Sequence, residues 1–254
     1  MYVKLYFKNY GELPIYVSDG EYVKLLKGCL PLKSTAELWK EEYYFETPIE
    51  YNGKETLKVK PGDVAYWAPG KAFCVFYGFS QPYSPVVIVG EVLGPLYYLR
   101  ELPEEKIEVE LDELYEDDSI VSFLRNKGFK SAKRNWMGDE SIVVNVNVKP
   151  LTDILPERVG FDVYVEDYGY IIESDSLLSY ENSLLSLKTR KAFKNAVEKL
   201  SISGEVREKI RVDINEDYYI CLSAFANNLE EVHRLLEAMA RLYIQILDFL
   251  EVLS

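Results

Sequence analysis

The 254-residue chain has one histidine, His233, two glutamines, Gln81 and Gln245, and three widely separated cysteines, Cys29, Cys74 and Cys221. Each shortage removes a class of chemistry. Zinc sites, serine triads and imidazole relays need histidine with partners at defined spacing, and one histidine in a helical pattern without such partners supports none of them. An odd number of isolated cysteines gives neither a CxxC pair nor a disulfide framework, so all three are expected as small buried apolar groups. No metal or cofactor is expected. No apolar run approaches the ~18 residues of a membrane span. The opening "MYVKLYFKNYGELPIYV" alternates like a strand and lacks the apolar block of a signal peptide, so a soluble, cytoplasmic protein is expected. Scarce glutamine beside abundant Glu and Lys is a bias of proteins from hot-growing sources.

What is present is apolar and acidic. Hydrophobic residues make up 48% and aromatics 14% of the chain, 21 of them tyrosine, enough for a sizeable folded core. The net charge of −13 repels phosphate backbones unless cations gather on one face. The excess is uneven: residues 1–118 carry 21 acidic against 12 basic side chains, and residues 119–254 carry 21 against 17. The acidic run "ELDELYEDDS" at 110–119 marks a boundary, read as a solvated linker or a helix start.

Residues 1–117 read as short alternating segments broken by turn residues. Strands are expected at Tyr2–Phe7, Leu13–Val17, Glu42–Phe45, Glu55–Val59, Asp63–Trp67, Phe73–Tyr77, Val86–Val92 and Ile107–Leu111, with one helix near Glu21–Gly28. Many short strands with a single helix imply a small closed barrel. Residues 118–254 change character. Strands are expected at Ile142–Lys149, Phe161–Glu166, Tyr170–Glu173, Ile210–Ile214 and Tyr218–Phe225. A helix near Leu184–Leu200 carries Phe193, Ala196, Val197 and Leu200 on one stripe. A second, Leu229–Leu253, keeps Val232, Leu235, Leu236, Met239, Leu242, Tyr243, Ile246 and Leu250 in register, opened by Asn228 and Glu231. The pattern predicts two domains, 1–117 and 118–254, the second an α+β sandwich with a long C-terminal helix. That helix could also pair two copies of the chain, and a homo-oligomer is expected.

"ELWKEEYYFETPIE" (37–50), "VKPGDVAYWAPGKAFCVFYG" (59–78) and "PVVIVGEVLG" (86–95) resemble the cyclophilin-like β-barrels of uncharacterised bacterial and archaeal proteins. The resemblance covers residues 1–117 and implies a closed antiparallel barrel; the C-terminal half matches nothing recognised. Prolyl isomerases of this fold use an arginine beside phenylalanines and a Gln-Gly stretch. Arg100, the only arginine of this half, has no such context, so isomerase activity is not carried over and fold is not taken as function.

Three stretches could carry function. In "GDVAYWAPGKAFCVFYG" (62–78) both faces of a hairpin are apolar, which means cover on both sides or a pocket on one, and Lys71 at the turn could meet an anion. In "WKEEYYFE" (39–46) a carboxylate falls among aromatics, where it must be paired or shifted in pKa, unless Glu41 sits at a solvated bend. Glu41, Glu42, Tyr66, Trp67, Lys71 and Gln81 are therefore the expected ligand contacts, for a small molecule or peptide, and no catalytic set is assigned. In "RNKGFKSAKRNW" (125–136), Lys127, Lys130, Lys133, Arg134 and Trp136 could grip a single nucleic-acid strand, although acidic flanks favour a solvated connector. A non-catalytic binding protein is the expected function. The alternatives are a hydrolase acting on an amide-like substrate through Glu, Tyr and Lys, and single-strand binding through 125–136.

Overall fold

A computed structural model describes residues 1–150, 155–181, 183–199 and 204–252. They form two compact units, the first of residues 1–117 with 132–140 and the second of residues 118–131 with 141 onward.

In the first unit the order is β1 (Tyr2–Phe7), β2 (Gly11–Val17), α1 (Gly20–Lys27), β3 (Leu32–Trp39), β4 (Glu42–Glu46), β5 (Glu55–Thr56), β6 (Asp63–Trp67), β7 (Ala72–Phe76), β8 (Val86–Val92) and β9 (Ile107–Glu113). Eight of these strands close a ring. β1 pairs with β2 and β9, β9 with β3, β3 with β4, β4 with β7, β7 with β6, β6 with β8, and β8 returns to β2, every pair antiparallel. Alternation fills the interior. Val3, Leu5, Phe7, Leu13, Ile15, Tyr43, Phe45, Val64, Tyr66, Phe73 and Val75 are all buried. α1 starts on Asp19, whose carboxylate accepts the Glu21 and Tyr22 amides, and it lays Tyr22 and Leu26 into the core. The barrel closes tightly at Gly90, which pairs with Val64 next to a bulge between β6 and β8. A β-carbon at Gly90 would run into the Tyr16 carbonyl oxygen.

β3 was not expected from sequence. Its pattern, Leu-Lys-Ser-Thr-Ala-Glu-Leu-Trp, buries only Ala36, so it carries little apolar alternation. Beyond Glu55–Thr56, the segment expected to stay extended to Val59 is irregular.

The second unit begins with α2 (Ser119–Asn126), then β10 (Lys130–Trp136) and β11 (Asp139–Asn147), whose shared tip 132–140 counts with the first unit. It continues with β12 (Arg158–Glu166), β13 (Gly169–Ser174), β14 (Leu178–Ser179), α3 (Leu184–Lys199), α4 (Gly204–Arg207), β15 (Ile210–Ile214), β16 (Tyr219–Ala226) and α5 (Leu229–Val252). β11, β12, β13 and β16 form an antiparallel sheet, with β15 and β14 also on β16. One sheet face, including Val144, Phe161, Val163, Ile172 and Leu222, packs with Val121, Phe193, Leu235, Met239, Leu242 and Ile246 from the helices. From Val232 to Ile246 the stripe of α5 is thus used inside this unit's own core. Asn228 accepts the Glu231 amide at 3.0 Å, as expected of a helix start at this pair, and Glu231 reaches back to the Asn227 amide at 2.8 Å, one residue before the cap. Leu200 and Leu253 lie outside the described residues.

The acidic run at 110–119 ends as a helix cap, since the Asp118 carboxylate accepts the Ile120 and Val121 amides. The stretch 125–136 is the end of α2, a turn at Gly128 and the whole of β10, not a solvated connector. Strand alternation is the reason: Ala132, Arg134 and Trp136 point inward while Lys133 and Asn135 point out.

Candidate functional site

Both apolar faces of the 62–78 hairpin are covered. The inner face of the β6–β7 hairpin fills the barrel, and its outer face builds a second, smaller core. There Ala65, Ala72, Cys74, Phe76, Val59 and Val86 are buried, with Tyr44, Trp67 and Ile88 packed against them. The register explains a hollow at this place. Tyr44 stands opposite Cys74, Cys74 opposite Ala65, and Ala65 opposite Ile88, so small side chains lie between large ones across four strands. Irregular segments at 57–62 and 77–85 cover part of this face, and a cavity of about 170 Å³ remains. It is lined by Trp39, Glu42, Tyr44, Trp67, Pro82, Tyr83, Ser84 and Val86.

The β3–β4 turn decides which carboxylate enters. Lys40 takes a left-handed φ of 54°, and the chain folds back so that Trp39 pairs with Glu42. Glu42, only 7% exposed, therefore stands on the aromatic face, and Glu41 occupies the bend. Burial pushes the Glu42 carboxyl up from its ordinary value, against a smaller opposing effect of the nearby Cys74 thiol, whose own hydrogen bond goes to the Ala72 carbonyl at 3.9 Å. That thiol is itself pushed up by burial and then by Glu42. Among the described residues Glu42 has no Lys or Arg partner.

The rim is held by polar contacts. Trp67 donates its indole N–H to Ser84 Oγ at 2.7 Å. Glu41 accepts the Phe79 and Ser80 amides at 2.9 and 3.0 Å, and its own amide donates to Ser80 Oγ. A β-carbon at Gly78 would collide with the Glu41 carboxylate, so glycine is required for this approach. Gln81 clamps the same loop from its other side, accepting the Val59 amide and donating to the Val59 carbonyl, each at 3.0 Å. At the mouth, Trp39 and Tyr83 stand edge to face at 4.8 Å, and the Lys40 ammonium lies 4.4 and 4.5 Å from their ring centres.

Of the six expected ligand contacts, the cavity takes Glu42 and Trp67. Glu41 and Gln81 hold the loop that carries Pro82, Tyr83 and Ser84. Tyr66 faces the barrel interior and donates to the Ile49 carbonyl at 2.7 Å. Lys71, at the far end of the hairpin, pairs with Glu50. The sequence reading did not assign Tyr44, Tyr83, Ser84 or Val86 to a site. Of the basic stretch, Lys127 pairs with Glu230, while Arg134 and Trp136, each 3% exposed, pack inside the first unit, the guanidinium 3.7 Å above the Tyr98 ring. Arg100 is exposed at the end of a short 3₁₀ turn, away from the cavity. His233 faces Glu237 at 3.6 Å and the Phe129 ring. Among the described residues, no group of three His, Cys, Asp or Glu is placed to hold a metal ion, and no helix is long and apolar enough to cross a membrane.

The first unit is thus an eight-stranded closed antiparallel barrel with an aromatic cavity on its outer face. Residues 1–111 match the family model described as Cyclophilin-like, and this unit is a cyclophilin-like β-barrel. Among solved structures, the chain is similar to the hypothetical protein AF2241 from Archaeoglobus fulgidus, at 29% identity over 45% of this chain and 95% of that one, with a TM-score of 0.39. It is also similar to McbB in complex with tryptophan, at 18% identity over 49% of this chain and 54% of that one, with a TM-score of 0.39. Comparison with curated proteins finds no match. The family match ends within β9, so the second unit lies outside it.

Proposed function

We propose that this protein is a small-ligand binding protein whose site is the outer-face cavity of the barrel. One observation carries the reading: two tryptophans and two tyrosines enclose a hollow at whose wall stands a buried carboxylate without a cationic partner among the described residues. Apolar walls with a few convergent polar groups are the usual make-up of a ligand site. The volume is ample for more than ordered water. Rim contacts through Glu41 and Gln81 fix the loop beforehand, which lowers the ordering cost of binding. A thermal-shift panel of small molecules on the full chain tests this. Hits should be lost in Trp39→Ala and retained in Lys71→Ala, whose side chain lies outside the cavity. A panel without hits, or hits untouched by Trp39→Ala, overturns the reading.

A catalytic reading has one observation in its favour, the raised Glu42 carboxyl in a cleft, which suits a general acid or base. Its neighbours favour binding instead. The Cys74 thiol is pushed away from ionisation, Ser84 accepts the Trp67 N–H, and the Tyr44 hydroxyl is turned to Glu37 at 3.4 Å. Amide hydrolysis that disappears in Glu42→Gln would establish the catalytic reading, and its absence across an amide panel would remove it.

A further inference from the structure

We propose that the cavity takes a small organic cation, an alkylammonium or quaternary ammonium group, with Glu42 as its counter-charge and the faces of Trp39, Tyr44, Trp67 and Tyr83 as its walls. This rests on the binding reading above and names the chemistry of the ligand. A carboxylate removed from water is costly unless a positive group accompanies it. Here the Cys74 thiol donates to the Ala72 carbonyl and the Tyr44 hydroxyl to Glu37, and no lysine or arginine reaches Glu42 among the described residues. An anionic ligand would be repelled by Glu42, and a neutral one would leave its charge uncompensated.

The rings supply the second half of the argument. Aromatic faces are negative and attract cations within ~6 Å of the ring centre. The chain already shows this at the mouth, where its own ammonium, Lys40 Nζ, lies over both Trp39 and Tyr83. Lys40 is exposed and sits on a turn, so its side chain can swing out and yield those faces to a ligand. Lys40 then acts as an internal competitor for the rim. The net charge of −13 adds a field that gathers cations near the surface.

Titration of the full chain, read by tryptophan fluorescence and calorimetry, tests the proposal with matched probes: choline against 3,3-dimethylbutan-1-ol, and n-butylammonium against n-butanol. Each ammonium should bind about tenfold tighter than its neutral match. In Glu42→Gln that preference should fall towards one. In Lys40→Asn, where asparagine accepts the left-handed turn, choline should bind several-fold tighter and the neutral alcohol unchanged. Tyr83→Ala, at a residue 81% exposed, keeps the test sound if the Glu42 variant fails to fold, and should weaken choline more than the alcohol. Neutral probes that bind as well as the ammonium ions overturn the cation assignment and leave the binding reading standing. If no ammonium binds while a neutral compound of the thermal-shift panel does, the outcome is the same. If neither these probes nor any panel compound binds, both fall together.

Discussion

A glutamate in each unit, Glu42 in the first and Glu173 in the second, is pushed up from the ordinary carboxylate value, and the reasons differ. In the barrel, Glu42 is raised by burial, in an aromatic hollow beside the Cys74 thiol. In the second unit, Glu173 is pushed up to about 7, first by burial and then by Asp162, Asp213, Glu216 and Asp217. Register places Asp162, Glu173, Ser223, Cys221 and Asp213 on one face of that sheet, opposite the face that packs against the helices. The same direction of shift therefore marks two environments. One is an aromatic hollow in which, among the described residues, no lysine or arginine pairs with the carboxylate. The other is crowded with negative charge and relieves itself by keeping a proton. The barrel reaches its state because both faces of the β4–β7–β6 layer are covered, and the hollow depends on the ring being closed.

The largest predicted effect breaks that closure. Gly90→Ala puts a β-carbon against the Tyr16 carbonyl, where the neighbouring atoms are backbone and cannot give way cheaply. Chemical denaturation should show a loss of about 3 kcal/mol or more, the size reserved for overpacking at a closed site. Ligand response in the cavity should vanish with it. A variant that loses under about 1 kcal/mol would mean that β2 and β8 are not held at this spacing.

How far the residues themselves announced this arrangement differs between the two levels. β1 alternates clearly, β6 and β8 read as apolar runs between turn residues, and Asn228 with Glu231 marks the start of α5 unaided. β3 stayed hidden because its outward positions hold Lys33, Thr35 and Glu37, while only Ala36 is buried. β10 was obscured by its charges, and the burial of Arg134 against Tyr98 is a tertiary event that local pattern does not encode. At the site, Glu42 and Trp67 were legible as a carboxylate among aromatics and a tryptophan beside a turn. Tyr83 and Ser84 were not, because they belong to an irregular loop brought to the cavity by Glu41 and Gln81 across some forty and twenty residues of chain. Gly78 next to Phe79-Ser80 was the one local signal available for that approach.

A second prediction sharpens the comparison through pH. The folded state of Glu173 keeps a proton that the unfolded chain releases near pH 4.5, so stability falls as pH rises from there through about 7 and levels off above. Glu173→Gln removes that loss. It should match wild type below pH 4 and exceed it by ~1–2 kcal/mol at pH 8, after allowance for solvent screening of the neighbouring carboxylates. Equal stability at pH 8 would show that the carboxylates around Glu173 do not crowd it. A third, of ~1 kcal/mol, concerns the rim: Ser84→Ala leaves the Trp67 indole N–H without its acceptor, and the melting midpoint should drop slightly while Ser84→Thr restores it.

The smallest effect separates the two causes. Glu42 is also raised, so its contribution has the same sign, full below the ordinary carboxylate range and lost as pH climbs above it. Glu42→Gln should therefore stabilise the chain at pH 8, by less than Glu173→Gln, since no like charges add to the burial. Salt tells them apart. Raising ionic strength from about 0.1 to 1 M shortens the screening length from ~10 to ~3 Å. Glu216 and Asp217 are exposed, so their pressure on Glu173 should weaken and the gain from Glu173→Gln should shrink. Burial is not screened, so the gain from Glu42→Gln should stay constant over the same range. A salt-sensitive gain at Glu42 would mean that charges near the cavity, such as the Lys40 ammonium at its mouth, act on the carboxylate, and that burial alone does not set it.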